Sequence, residues 1–119
     1  MQYLLLIYGE EARWKTLDNT ERDAVLQEFM SFTKSIAESG HYRGGNELHP
    51  TSRASTVRMR EGKQVITDGP FAETKEALGG YYLIEANDLA EAIGIAARIP
   101  SARWGSIEVR PVIPHDLPA

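Results

Sequence analysis

Six consecutive apolar residues, Tyr3-Leu4-Leu5-Leu6-Ile7-Tyr8, constrain this chain more than any other stretch. The run is closed by Gly9-Glu10-Glu11 and is too short for a core helix, so it reads as a strand. Successive strand side chains point to opposite faces, which places Tyr3, Leu5 and Ile7 on one side and Leu4, Leu6 and Tyr8 on the other. Both sides are apolar, the pattern of a buried strand, and both have to be covered.

The rest of the chain supplies two helices for the covering. Thr20 to Ser39 reads as the first, with Thr20 as N-cap and Glu21 and Asp23 at the positive end of the helix dipole. Val25, Phe29, Phe32 and Ile36 recur at helical spacing as one apolar stripe, and Gly40 supplies the stop. Asn87-Asp88 opens the second helix, Asp88 and Glu91 standing at capping-box spacing. Its Leu89, Ala92, Ile93 and Ala96 face inward, and Pro100 marks its end.

The remaining segments read as strands and connections. Ser55 to Arg60 alternates, Val57 and Met59 on one face, Thr56, Arg58 and Arg60 on the other. Glu61-Gly62 is a hairpin signal, and Lys63 to Thr67 is the returning strand. A two-residue loop sets Val57 opposite Ile66 and Ser55 opposite Asp68. Gly44 to Pro50 reads as an irregular edge segment with a brief strand. Gly79-Gly80, where a bulge or close backbone approach is expected, leads into the aromatic strand Tyr81 to Glu85. Ile107 to Val112 is the last strand. Glu10 to Asn19 is a polar loop folding back as a flap, whose Trp14 is either a ligand lid or a hydrophobic anchor.

Two strand–helix halves around a central hairpin predict an α+β fold, a ferredoxin-like βαββαβ sandwich occupying residues 1–113, with 114–119 as a surface tail. Two helices cover only one face of such a sheet. The other face is expected to carry Leu4, Leu6, Tyr8, Arg58, Tyr82, Ile84, Glu108, Arg110 and Val112, too apolar for solvent and too polar for a dry core. A second copy packed sheet to sheet would cover it and enclose a mixed pocket, which makes the expected partner the chain itself, as a homodimer.

Composition bounds the chemistry. The chain has 119 residues, 42% of them hydrophobic and 25% charged, an ordinary globular balance for one domain. A formal net charge of −4 disfavours nucleic acid and anionic membranes as partners. With no cysteine, disulfides, thiolate catalysis and cysteine-ligated metals are excluded. Neither a His-x-x-x-His pattern nor a convergent acidic cluster argues for a metal, and the glycine pairs lack the strand–turn–helix setting of a nucleotide site, so no cofactor is expected. The opening residues lack a signal-peptide pattern, and a cytoplasmic location is the expectation.

Chemistry-bearing residues crowd at Asp68-Gly-Pro-Phe-Ala-Glu-Thr-Lys-Glu76. Gly69 frees the backbone there and Pro70 fixes it, so Gly69, Pro70 and Phe71 form either a rigid corner or the wall of a ligand site. The stretch resembles the signature of the DGPF (DGPFAETKE) group of YCII-related proteins. The likeness extends to MQYLLLIYGEEARW, GGNELHP, STVRMREGKQVITDGPFAETKEALGGYYLIEA and SIEVRPV, nearly the whole chain. It implies the dimeric α/β-barrel fold, in which two ferredoxin-like units press their sheets together. The wider superfamily includes cofactor-poor enzymes acting on aromatic, quinone-like or lactone substrates. The resemblance also implies a histidine–aspartate pair in a cleft, for which Asp68 is the acidic member, and a frequent gene neighbourhood with extracytoplasmic-function sigma factors.

Each candidate reads two ways. Asp68 is a general acid or base, or an Asx-turn oxygen capping its own loop. His49, before Pro50, is a base or a plain loop residue; His41 suits the carbonyl end of the first helix, and His115 lies in the tail. Arg58 and Arg110 can clamp a carboxylate or enolate, or Arg110 can pair with Glu108. Tyr8 and Tyr82 donate to a ligand or fill the core. Two functions follow. One is a cofactor-independent lyase- or isomerase-type enzyme moving a proton on a small aromatic or oxo compound; the other is a non-catalytic ligand-binding or regulatory module.

Overall fold

The structure, a computed structural model, describes residues 1–115; most of the expected 114–119 tail lies outside the described residues. Its elements are β1 (Gln2–Gly9), α1 (Glu11–Thr16), α2 (Asn19–Glu38), β2 (Tyr42–Glu47), β3 (Ser55–Arg60), β4 (Lys63–Asp68), β5 (Ala77–Glu85), α3 (Leu89–Ala97) and β6 (Ser106–Pro111). Short 3₁₀ turns stand at Thr51–Arg53 and Pro100–Arg103.

Four strands make one antiparallel sheet in the order β2-β5-β1-β6. Counted among themselves these are strands 2-3-1-4, the order of a ferredoxin-like α+β fold. The expected class holds, but the strand assignment needs a correction. The second strand of the fold is β2, the glycine-led segment read as irregular. The hairpin read as the fold's centre, β3–β4, is an insertion that forms a separate two-stranded sheet. Segment β2 reads YRGGNE, without apolar alternation, because backbone packing demands glycine there. A Cβ at Gly45 would stand 2.9 Å from the Tyr81 carbonyl oxygen, and one at Gly80 2.9 Å from that of Asn46. The bulge expected at Gly79-Gly80 is present, where the β1–β5 register shifts between Ile7 and Tyr8.

The helix face of the sheet presents Tyr3, Leu5, Tyr82 and Ile84 to Phe32 and Ile36 of α2 and to Ala92, Ile95 and Ala96 of α3. Leu5, Ile36 and Ile84 are completely buried. Register fixes the faces: Leu5 lies opposite both Tyr82 and Val109, and Tyr3 opposite Ile84. Tyr82 and Ile84 therefore belong to the helix face, not to the open face where they were expected. The open face carries Leu4, Leu6, Tyr81, Leu83, Glu108 and Arg110, with Leu4 opposite Leu83 and Arg110. Arg58 is absent from it, because β3 lies outside this sheet.

Local signals explain the helix ends. Asp18, not Thr20, caps α2; it accepts from the Glu21 amide at 2.8 Å while the Glu21 carboxylate accepts from the Asp18 amide at 3.1 Å, a complete capping box. Gly40, at φ +82°, ends the helix as expected. Asp88 caps α3 through the Glu91 amide at 2.9 Å. The flap is helical: α1 has no buried residue. No described helix is long and apolar enough to cross a membrane.

Candidate functional site

The apolar stripe of α2 does two different jobs. Phe32 and Ile36 are buried against the sheet, whereas Phe29 and Val25, one and two turns nearer the N-terminus than Phe32, are only half-buried. Phe29 packs against the edge of the core. Between α1, the first half of α2, the glycine-lined β2–β5 edge and the segment Leu48–Ser52 lies a cavity of about 760 Å³, within the range of small-ligand sites, roughly 300–1,000 Å³. Ile7, Val25, Leu26 and Phe29 give it an apolar wall, and Trp14 and Trp104 add aromatic surface.

Polar groups stand at defined points of that wall. Tyr82 and Thr33 share a hydroxyl–hydroxyl hydrogen bond of 2.7 Å. Burial pushes the Tyr82 phenol above its ordinary value, against the opposing pull of the Thr33 bond. Ser101 is among the lining residues, and its Oγ, closed off from solvent, is the only such buried side-chain atom among the described residues with no hydrogen-bond partner. A buried hydroxyl left unpaired costs about 1–3 kcal/mol.

The roof is tied down by polar contacts rather than by a core. Glu11 of α1 accepts from the Thr51 amide at 2.7 Å and from the Thr51 hydroxyl at 2.5 Å. The Arg22 guanidinium donates to the Trp14 carbonyl at 3.1 Å and lies over the Trp14 ring. Arg13 stacks 4.5 Å from the centre of the Trp104 ring. The two Thr51 bonds hold the Glu11 carboxyl below its ordinary value. A carboxyl depressed in the folded state stabilises it above its unfolded-state pKa, and that contribution is lost as pH falls through the folded value. The roof is therefore expected to loosen on acidification below about pH 4. Fluorine NMR of a fluorotryptophan at Trp14 should show added line broadening there, and Glu11→Gln should show it already at pH 7.

Tyr8 and Tyr82, expected in a pocket between the sheets of two copies, instead border this helix-side cavity, and the other residues expected on that face do not reach it. His49, Tyr8 and Tyr82 line it. Asp68, Gly69, Pro70, Phe71, Arg58 and Arg110 are not among its lining residues. Asp68 ends β4 opposite Ser55, exposed, and its carboxylate has no hydrogen-bond partner among the described residues, so the Asx-turn expected there is not formed. Gly69 takes φ +98°, its amide donating to the Ala54 carbonyl at 2.7 Å. Phe71 is 81% exposed. The second half of the same stretch is docked: Lys75 pairs with Glu10 at 3.5 Å, and Ser106 donates to Glu76 at 2.7 Å. Arg110 bonds Glu108 at 2.6 Å, the internal pair anticipated for it. His41 is held between Ser39 and Glu91, at 2.7 and 2.9 Å.

Phe29, Thr33, Ser101 and Trp104 are among the lining residues that sequence reasoning did not select. Trp14, on α1, lines the cavity with Arg22 over its ring. A shallower groove between α2 and the turn after α3 holds Arg98 and Arg103, already engaged by Ser35 and Glu28.

Fold and cavity together define an α+β protein built on a single ferredoxin-like sheet with a roofed, ligand-sized chamber on its helix side. The chain belongs to the YCII-related family: the YCII-related domain matches residues 1–116. It is also similar to an uncharacterised protein of Rhizobium meliloti (strain 1021), 36% identical over 124 residues that span the whole of both chains.

Proposed function

We propose that this YCII-related protein, of the DGPF group, binds a small aromatic or oxo compound in the chamber beneath α1, and does so as a homodimer. One observation carries the reading: a chamber of about 760 Å³ walled by aromatic and aliphatic side chains. Shape and apolar wall provide affinity, and a few fixed polar groups orient the ligand. His49, exposed and among the lining residues, is a side chain able to exchange a proton with it. The second copy covers the open sheet face, whose Leu4, Leu6 and Leu83 are only half-buried in the single chain.

Native mass spectrometry of protein purified gently from its own cells tests this. A dimer carrying a small-molecule adduct is the expected species; a bare chain with no affinity for any aromatic probe ends the reading. Because Asp68 lies outside the chamber of its own chain, Asp68→Asn is expected to change ligand affinity less than twofold. A loss beyond tenfold would mean that the aspartate of a second copy reaches the rim. Turnover, if the bound compound is a substrate, should fall with His49→Ala.

The regulatory alternative, a partner-binding module linked to an extracytoplasmic-function sigma factor, has a separate observation in its favour. Phe71 stands almost fully exposed at the tip of the signature stretch. A polypeptide co-purifying in place of an adduct would favour it.

A further inference from the structure

Two hydroxyls among the residues lining the chamber pass their protons in one direction. The Thr33 hydroxyl makes two contacts, with the Phe29 carbonyl oxygen at 2.9 Å and with the Tyr82 phenol oxygen at 2.7 Å. A threonine hydroxyl holds one proton and two lone pairs. A carbonyl oxygen cannot donate, so the contact with Phe29 uses the threonine proton. The contact with Tyr82 is then a hydrogen bond only if the phenol donates. The chain runs from Tyr82 to Thr33 and on to the backbone of α2, and hydrogen bonds aligned in this manner reinforce one another.

That direction decides what the phenol has left to offer. Its single proton is taken by Thr33, and among the described residues no other group bonds to its oxygen. Tyr82 is therefore an acceptor alone. The ring is also held in place: it stands edge-on to Phe32 and to Tyr42, with ring centroids 5.3 and 6.3 Å away. Tyr82, Thr33 and Tyr42 all line the chamber. A few fixed polar groups in an apolar wall set the orientation and identity of what binds there. A ketone, ether or carboxylate oxygen placed against Tyr82 would set lone pair against lone pair, whereas an O–H or N–H would extend the chain by one more bond.

We propose that the Tyr82–Thr33 pair selects a ligand carrying a hydrogen-bond donor, a phenol, enol or N–H compound, over an otherwise equal ligand whose heteroatom only accepts. This rests on the chamber reading above and adds the chemical class that the chamber takes: of the aromatic or oxo compounds, those that present a donor to this part of the wall. Tyr82 makes the contact. Thr33 is a positioning residue, acting through Tyr82 by holding the phenol proton. Such a site discriminates because an analogue without the donor leaves a desolvated acceptor unpaired.

The test is a titration, followed by probe fluorescence, with 2-naphthol and with 2-methoxynaphthalene, which lacks the donor. The wild type should bind 2-naphthol about tenfold more tightly or better. Tyr82→Phe removes the acceptor and should bring the two affinities to within about twofold of each other. Thr33→Val keeps the shape of the wall but releases the Tyr82 proton, so the ether should gain affinity and the ratio should fall; Thr33→Ser, which keeps the chain of hydroxyls, should retain the wild-type ratio. Far-UV circular dichroism should be unchanged in all three variants. A role limited to packing would leave the ratio where it was. Equal affinities in the wild type, or a preference for 2-naphthol that survives both Tyr82→Phe and Thr33→Val, overturns the selection and leaves the chamber reading standing. A wild type that binds neither probe up to its solubility limit ends both.

Discussion

Gly105→Ala is expected to lower the stability of the protein by about 3 kcal/mol, near the top of the range for forcing extra volume into a packed site. An added Cβ would meet the carbonyl oxygen of Tyr8 at 2.3 Å and that of Ser101 at 3.3 Å. Both are backbone atoms, and neither can move aside alone. Tyr8 is paired with Ser106 in the β1–β6 ladder, and the Ser101 carbonyl already receives the amides of Gly105 at 2.7 Å and Trp104 at 3.1 Å. Relief requires parting β6 from β1 or opening the turn. Either movement carries Ser101 and Trp104 with it, so residual folded protein should also bind ligand less tightly. The comparison is Gly44→Ala, where a Cβ meets nothing within 4 Å; its unfolding free energy by urea denaturation should stay within about 0.5 kcal/mol of wild type. Equal effects of the two substitutions would refute the close-packing argument.

What could be read from the sequence follows from how local each signal is. The hairpin register, Val57 opposite Ile66 and Ser55 opposite Asp68, was legible because a two-residue loop and an alternating pattern fix it without reference to anything distant. The bulge at Gly79-Gly80 and the stop at Gly40 were legible for the same reason. The role of the hairpin was not, because strand pairing between β2 and β5 depends on two backbones approaching too closely for side chains, and glycines carry no periodicity. The face of Tyr82 was missed likewise. In an aromatic run such as Tyr81-Tyr82, parity is set by register against Leu5, a residue distant in sequence. The site was half legible. His49, Tyr8 and Tyr82 were selected for chemical type and do line the chamber, while Arg58 and Arg110 were selected for a face that only one of them occupies. Ser101 offered no signal, since an unpartnered hydroxyl exists only once the turn has packed.

The helix stripe that sequence treats as uniform should separate into two behaviours under mutation. Ile36→Ala removes atoms from a fully buried position and should cost about 3 kcal/mol, in the usual range for such a truncation. Folded Ile36→Ala protein should bind ligand as the wild type does, because Ile36 does not line the chamber. Phe29→Ala, two turns earlier on the same stripe, removes a ring that packs on the core on one side and faces the chamber on the other. Its stability cost should be no more than about half that of a fully buried Phe→Ala change, roughly 1.5–2.5 kcal/mol. The larger effect should be on binding, since the ring forms part of the apolar wall; at least a tenfold loss of affinity is expected, equivalent to about 1.4 kcal/mol. Urea denaturation and ligand titration on both variants form a crossed comparison. If Phe29→Ala proved as destabilising as a buried truncation and left binding unchanged, the chamber would be ordinary core and the ligand site would have to lie elsewhere. The opposite pattern would establish that the N-terminal half of α2, with α1 over it, is held off the sheet to make room for a bound compound.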